Sequence, residues 1–370
     1  MRLRATVATV AILGATIVSP AEGASVTSVT IRKSHVRVDG LDIGGTGGSC
    51  VNIAPGLSDI TISHNRIHDC GVDGIHFVRP EDSGRAYTHH VRIVGNSITG
   101  VGRDDDEGND MTIYADRLRV ERNNLTGTPN DAIDFWGDRQ VYRRNLIHDI
   151  SNSRGNHNDA FQTWTDYDDG YEGKPVTNLV IDRNVVRGVT GGNSHCMMTE
   201  GPGHSRWRIS NNLFWDIDSI CLILDTNEGG THPSHPGIAG VRVYNNTFVR
   251  AGGGSTVEFN SETTGMFVNN LLFGTASNHY ENPRNVTRGF NLYAGGTPGG
   301  HERHSLRGNP GFVDANGDFR LAAGSGAIDR GDRGTLIHPS RRRDLAGNPR
   351  VRSVDIGAYE RQGRRRWPRR

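Results

Sequence analysis

The sequence predicts an all-β solenoid, a parallel β-helix, and three observations carry that expectation. The unit apolar-x-x-Asn-x-apolar recurs as ISHNRI, IVGNSI, VERNNL, YRRNLI, IDRNVV, ISNNLF, VYNNTF and FVNNLL. Each unit carries a second short apolar run, among them GIHF, AIDFW, AFQTW, CMMTE, CLILD and TVEFN, with no helix-period segment between them. Finally, 49 of the 370 residues are Gly, which costs about 1 kcal/mol inside a helix but serves tight turns.

In chain order, MRLRATVATVAILGATIVSPAEGAS comes first. Arg2 and Arg4 precede an apolar run from Ala5 to Val18, and Ala21-Glu22-Gly23 offers a small-x-small cleavage site, so residues 1–24 read as a secretory leader. No later stretch has the roughly 18 apolar residues of a membrane span. The expectation is an exported monomer without a membrane span, its four Cys in an oxidising compartment. With 42 basic against 41 acidic side chains, the chain has no charge that would draw it to nucleic acid.

The β-helix is expected over residues 25–290. Its Asn column runs through Asn65, Asn96, Asn123, Asn145, Asn184, Asn212, Asn246 and Asn270, at spacings of 31, 27, 22, 39, 28, 34 and 24 residues. Those spacings are too irregular for ankyrin, TPR or leucine-rich arrays. Asn tolerates the left-handed conformation of a strand corner, and its amide can bond the same amide about 4.8 Å above and below. Cys50 and Cys70 lie 20 residues apart and Cys196 and Cys221 lie 25 apart, each near one repeat. Stacked positions would suit a disulfide, whose Cα atoms sit roughly 4.4 to 6.8 Å apart, although buried thiols would also suit the core. Residues 291–360 are expected to end or cap the helix. The tail RQGRRRWPRR, 361–370, holds six Arg and reads as a solvated segment able to meet an acidic surface.

These repeats resemble, over residues 30 to about 275, the right-handed parallel β-helix proteins of the pectate lyase type. NPGFVDANGDFRLAAGSGAIDRGD and DLAGNPRVRSVDIGAYE resemble a C-terminal segment common to bacterial secreted β-helix proteins. The resemblance implies a right-handed coil and secretion, and a polysaccharide as substrate.

Aligned on the strand after the Asn turn, VDGIHF, NDMTIYA, NDAIDFWG and NDAFQTW place Asp73, Asp110, Asp131 and Asp159 at one position on four coils. Stacked carboxylates repel by about 1 kcal/mol per pair even in water, so backbone N–H groups or a cation must offset them. By alternation Ile75, Ile133 and Phe161 point inward, leaving His76, Asp134, Gln162, Trp136 and Trp164 outward. NDMTIYA is out of phase by one, so Thr112 and Tyr114 are its outward residues. Outward Trp136 and Trp164, with His76 and Gln162, are candidates for binding a sugar, whose C–H face packs on aromatic rings. The acidic loop carrying Asp166, Asp168, Asp169 and Glu172 belongs to the longest coil, and GRDDDEGND lies two coils earlier.

NDAID, residues 130–134, with Asp110 on the coil before, is similar to the calcium-binding strand of the β-helix lyases that cut pectate. The resemblance implies a Ca²⁺ held by Asp110, Asp131, Asp134 and Asp159, while that family's Lys base is replaced here by Gln162. Candidate catalytic residues are His157 and Lys174 as base, with Asp159, and Tyr167 or Tyr171 as proton donor. Lys174 has a loop salt bridge as its alternative role. The leading expectation is a lyase that cleaves an acidic polysaccharide by β-elimination. Hydrolysis by paired carboxylates such as Asp134 and Asp159, uronate C5-epimerisation and non-catalytic carbohydrate binding remain alternatives.

Overall fold

The structure, a computed structural model, describes residues 10–12, 17–18, 25–104, 108–151, 157–165, 173–224, 237–253, 255–259, 261–275, 278–281, 284–296, 302–336, 343–351 and 353–362. Three parallel sheets wind along it, and no α-helix occurs among the described residues. One coil supplies Ile75–Phe77 to sheet one, Thr88–Val94 to sheet two and Ser97–Thr99 to sheet three. The next supplies Met111–Asp116, Arg119–Glu121 and Asn124–Thr126, and the one after it Ile133–Trp136, Val141–Arg143 and Leu146–Ser151. Strand alternation sends Ile60, Ile62, Val91, Ile93 and Val120 inward, where they stack into one continuous apolar core.

The Asn column exists as expected and Asn291 extends it. Each Nδ2 donates to the Oδ1 of the next ladder Asn at 2.9 to 3.4 Å, and its other proton goes to a carbonyl of the preceding coil, as from Asn145 to Val120. Each Oδ1 also accepts the backbone N–H of the preceding Asn. The left-handed residue, however, is the one before the Asn. His64, Arg122, Arg144, Arg183, Asn211, Asn245 and Asn269 have φ between 54 and 59°. The preceding residue turns the chain, which frees the Asn to point its amide along the helix axis.

Both disulfides form. Cys196 stacks on Cys221, with Cα atoms 4.7 Å apart. Cys50 and Cys70, at 5.5 Å, are not stacked equivalents, since Cys70 lies beside Thr46 in sheet three while Cys50 leads into sheet one. That bridge ties a corner instead. The apolar run read as a leader lies as two short strands, Val10–Ile12 beside Val29–Ile31 and Ile17–Val18 beside Arg37–Val38.

The segment expected to end the helix lies back along the outer face of sheet three. Outward residues there, including Leu213, Val249, Leu271 and Leu292, are apolar and have to be covered. Phe319 packs on Leu213 and Val249, and Ile356 on Leu271 and Leu292. Arg350, buried with Glu360 at 3.2 Å, donates to Asn211 Oδ1 at 2.9 Å, while Ala358 N–H reaches Thr247 Oγ1 at 2.8 Å. The Arg-rich residues 363–370 lie outside the described residues.

Candidate functional site

Register along sheet one places His76, Thr112, Asp134 and Gln162 in one outward row, and Tyr114, Trp136, Trp164 and Glu200 in the next. Together with Asp73, Asn109, Asn130, Asp131 and His157 they line a cleft of about 650 Å³. Thr112 and Tyr114 face outward, as the phase slip predicts.

The carboxylate column differs from the expected one. Ile75 pairs with Met111 and Met111 with Ile133, so the column reads Asp73, Asn109, Asp131, Asp159 and then His195. Its members are bonded through the backbone. Asn109 N–H donates to Asp73 Oδ1 (2.9 Å), Asp131 N–H to Asn109 Oδ1 (3.1 Å), Asp159 N–H to Asp131 Oδ1 (2.6 Å) and His195 N–H to Asp159 Oδ1 (2.9 Å). Turn amides therefore offset much of the repulsion, which is the simpler of the two expected answers.

Asp110 leaves the column because the slip that turns Thr112 outward also turns Asp110 inward, in register with Gly74 and Ala132. It is fully buried and neither carboxyl oxygen has a hydrogen-bond partner among the described residues. Burial, aided by the charge of Asp73, holds its carboxyl well above the usual range. A folded-state pKa above the unfolded value means that this carboxyl destabilises increasingly as pH rises above about 4. Asp110→Ala, which restores the small residue of the neighbouring coils, is expected to stabilise the protein by about 1 to 3 kcal/mol at pH 8 and by less at pH 4. Urea unfolding at the two pH values checks it.

Asp134 receives the Asn109 Nδ2 proton at 2.7 Å and is hydrogen-bonded to Asp131. Burial above all, then the charges of Asp131, Asp73 and Asp159, pushes its carboxyl well above the usual range. Burial raises Asp131 in the same way. Asn109, absent from the sequence-based candidates, is the hub of this group, and applying the one-residue slip to the whole coil would have found it. His76 Nδ1 sits 2.6 Å from Asp73 Oδ2, forming a His–Asp pair at one end of the cleft.

His157 Nδ1 contacts Asp159 Oδ2 at 3.4 Å. This partner, with Asp131 and Glu200 adding their charge, outweighs burial and lifts the imidazole pKa to about 9. A pKa raised in this direction favours the imidazolium at neutral pH, which counts against His157 as the ready base that the sequence implied. Asp159 is wholly buried, its Oδ1 also 2.8 Å from His195 Nδ1, so it supports the two His. Because the folded pKa lies above the ordinary 6.5, the stability from this pair is fully present below about pH 6.5 and is lost as pH rises through 9. In a His157→Gln variant, melting temperature should lose that part of its decline between pH 6.5 and 9.

The other candidates divide. Gln162 and Trp164 line the cleft as expected. Trp136 is 1% exposed: it stacks on Tyr114 at 4.5 Å, meets Trp164 edge-on and donates Nε1–H to Trp164 O, and Gly173 packs against its ring. It therefore offers no open face to a sugar. Lys174 Nζ pairs with both oxygens of Asp116, at 2.8 and 2.7 Å, and lies over Tyr87, so it forms the salt bridge expected as its alternative role. Tyr167, Tyr171 and the acidic residues Asp166, Asp168, Asp169 and Glu172 lie outside the described residues, as do 105–107 of the second acidic loop.

Asp131, His157 and Asp159 offer ligand atoms within 4.8 Å of one another, so this trio could hold a metal ion. It does not fit the expected calcium site. Asp110 is fully buried and belongs neither to the cleft lining nor to the trio, the Oδ1 atoms of Asp131 and Asp159 are engaged by backbone N–H groups, and a ring nitrogen replaces an oxygen where Ca²⁺ takes six to eight oxygens. A mixed nitrogen and oxygen set suits a transition metal better.

No family model and no curated protein matches the chain. Solved structures do. Pectate lyase Pel9A aligns over 96% of this chain and 86% of its own, at 14% identity and a TM-score of 0.55. The catalytic unit of a GH87 α-1,3-glucanase from Streptomyces thermodiastaticus aligns over 78% and 54%, at 15% identity and 0.49. DFA-IIIase from Arthrobacter chlorophenolicus aligns over 80% and 76%, at 17% and 0.40. The class defined is the parallel β-helix. Within it, the chain has the pectate-lyase-like fold, and at these identities the likeness is one of fold.

Proposed function

We propose that the protein is a secreted polysaccharide-cleaving enzyme and that it acts by hydrolysis, with Asp134 as general acid. The observation that carries this reading is a carboxyl kept neutral on the floor of an open cleft, its geometry fixed by Asn109. The opposing base is His76, oriented by Asp73 and two coils away. Two steps of about 4.8 Å put their Cα atoms roughly 10 Å apart, and an inverting mechanism asks for two such groups held apart with a water between them. His76 would deprotonate that water as Asp134 protonates the leaving oxygen. The expected leader and the two disulfides support export.

β-Elimination is the second reading, favoured by the likeness to a pectate lyase and by the trio that could hold a metal. It has to supply a cation for the uronate carboxylate. Among the described residues no Lys or Arg lines the cleft, and its two His face Asp73, Asp131, Asp134, Asp159 and Glu200 nearby. A C5-epimerase would share that need.

Incubation with neutral and uronic-acid polysaccharides, reading reducing ends and ultraviolet absorbance together, separates the readings. New reducing ends without absorbance are expected. Absorbance from an unsaturated product would overturn hydrolysis in favour of elimination, and binding without either signal would mark a non-catalytic protein.

A further inference from the structure

We propose that the outer face of sheet two is a docking face for a linear polyanion, specifically an acidic polysaccharide. Arg92 pairs in register with Arg119, and Arg208 with Arg242; Val141 and Val180 fill the row between them. A second row at the left-handed corner carries Arg117, Arg139 and Arg206. The whole chain has 42 basic and 41 acidic residues, so a face with this many Arg is locally enriched in positive charge, while the cleft on the adjoining sheet is lined by Asp73, Asp131, Asp134 and Glu200.

The acids on this face are already taken. Glu121 meets Arg119 at 3.5 Å and Arg143 at 3.6 Å, Asp138 meets Arg139 at 3.2 Å, and Asp182 is buried against Arg143 and Arg183. Arg92 and Arg242 are exposed and Arg208 is half-buried, and none has an ion pair among the described residues. Between them the two rows carry an Arg on the coils of Arg92, Arg119, Arg139, Arg208 and Arg242, about 4.8 Å apart except at the coil of Val180 and Asn178, an arrangement in line with the helix axis that serves an extended chain bearing repeated charges. Guanidinium forks pair with carboxylates in a bidentate way that ammonium groups cannot match. A membrane is less apt, because the exposed large apolar residues, Val78, Val313 and Val351, lie elsewhere. Single-stranded nucleic acid would call for stacking rings, and no Phe, Tyr or Trp stands among the described residues of the Arg92–Arg242 row, while Tyr244, two residues along from Arg242, is buried.

The face lies around the corner from the cleft, so docking does not rest on the reaction proposed above. Affinity electrophoresis of the full chain through gels containing polygalacturonate tests it. Retention is expected, weakening as salt rises. Arg92→Ser/Arg119→Ser/Arg208→Ser/Arg242→Ser is expected to weaken binding tenfold or more with an unchanged melting temperature, while Asp134→Asn keeps full retention. Should the quadruple variant melt early, the pairs Arg92→Ser/Arg119→Ser and Arg208→Ser/Arg242→Ser replace it, each expected to lose part of the retention. Full retention by the folded arginine variants overturns the proposal, as does loss in Asp134→Asn alone, which would place the glycan in the cleft. Tighter binding at physiological salt to duplex DNA or to phosphatidylglycerol vesicles than to polygalacturonate would also overturn it.

Discussion

Asp134→Asn is expected to lower turnover by about 10²- to 10⁴-fold and to leave the fold unchanged. The scale is that of a lost general acid. Asn is isosteric with a neutral carboxyl, so its Oδ1 can still accept the Asn109 proton and its amide can still face Asp131. It cannot deliver a proton to a leaving oxygen. Turnover should fall with KM nearly constant, since the missing interaction belongs to the transition state. Steady-state kinetics and thermal melting on one preparation check both halves. Activity within threefold of the parent would remove Asp134 from the chemistry. A collapsed melting temperature with normal activity per folded molecule would reassign it to structure.

Asn145→Ala should be the most damaging substitution away from the cleft, at about 3 to 5 kcal/mol by chemical unfolding. Its amide accepts from both nitrogens of Asn123 and donates to Asn184 Oδ1 and Val120 O, all out of water. Ala leaves the Asn123 donors and the Val120 carbonyl without partners, and each buried orphan costs roughly 1 to 3 kcal/mol, reduced where neighbours relax. Asn291→Ala, at the last ladder member among the described residues, should cost less, because its amide accepts from Asn270 Nδ2 at a longer 3.4 Å and its outer partner is the partly buried contact to Glu302 at 3.3 Å. A loss below 1 kcal/mol at Asn145 would show that water can enter the column.

The fold was legible because its cause repeats. A single Asn every 22 to 39 residues marks the corner, and the apolar runs between mark strands whose pairing partners lie one coil away. The site was legible only where alternation alone decides direction, as for His76, Asp134 and Gln162. Asp110 looks like Asp131 in the string, but the one-residue slip sends it into the core, where only pairing partners reveal it. Trp136 was hidden for another reason: covering it takes the loop at Gly173, which arrives from a later coil. The charge of His157 depends on Asp159, two residues on, and on Asp131, one coil away, and strand spacing alone does not give that distance.

The return of the C-terminal segment along sheet three changes how the molecule assembles. A bare solenoid is nearly one-dimensional, with each coil answering only to its neighbours, so it can fray coil by coil or be halted halfway. Here Arg350 grips Asn211 across 139 residues of chain, and Ala358 grips Thr247 across 111. Those contacts form late, because they close large loops and need the coils beneath them already wound. Residues synthesised after all the coils they touch are therefore the ones that bind several coils into a single cooperative unit. Until they dock, the apolar row at Leu213, Val249 and Leu271 stays open to water, and a chain waiting in that state would present the side on which it is most prone to join another.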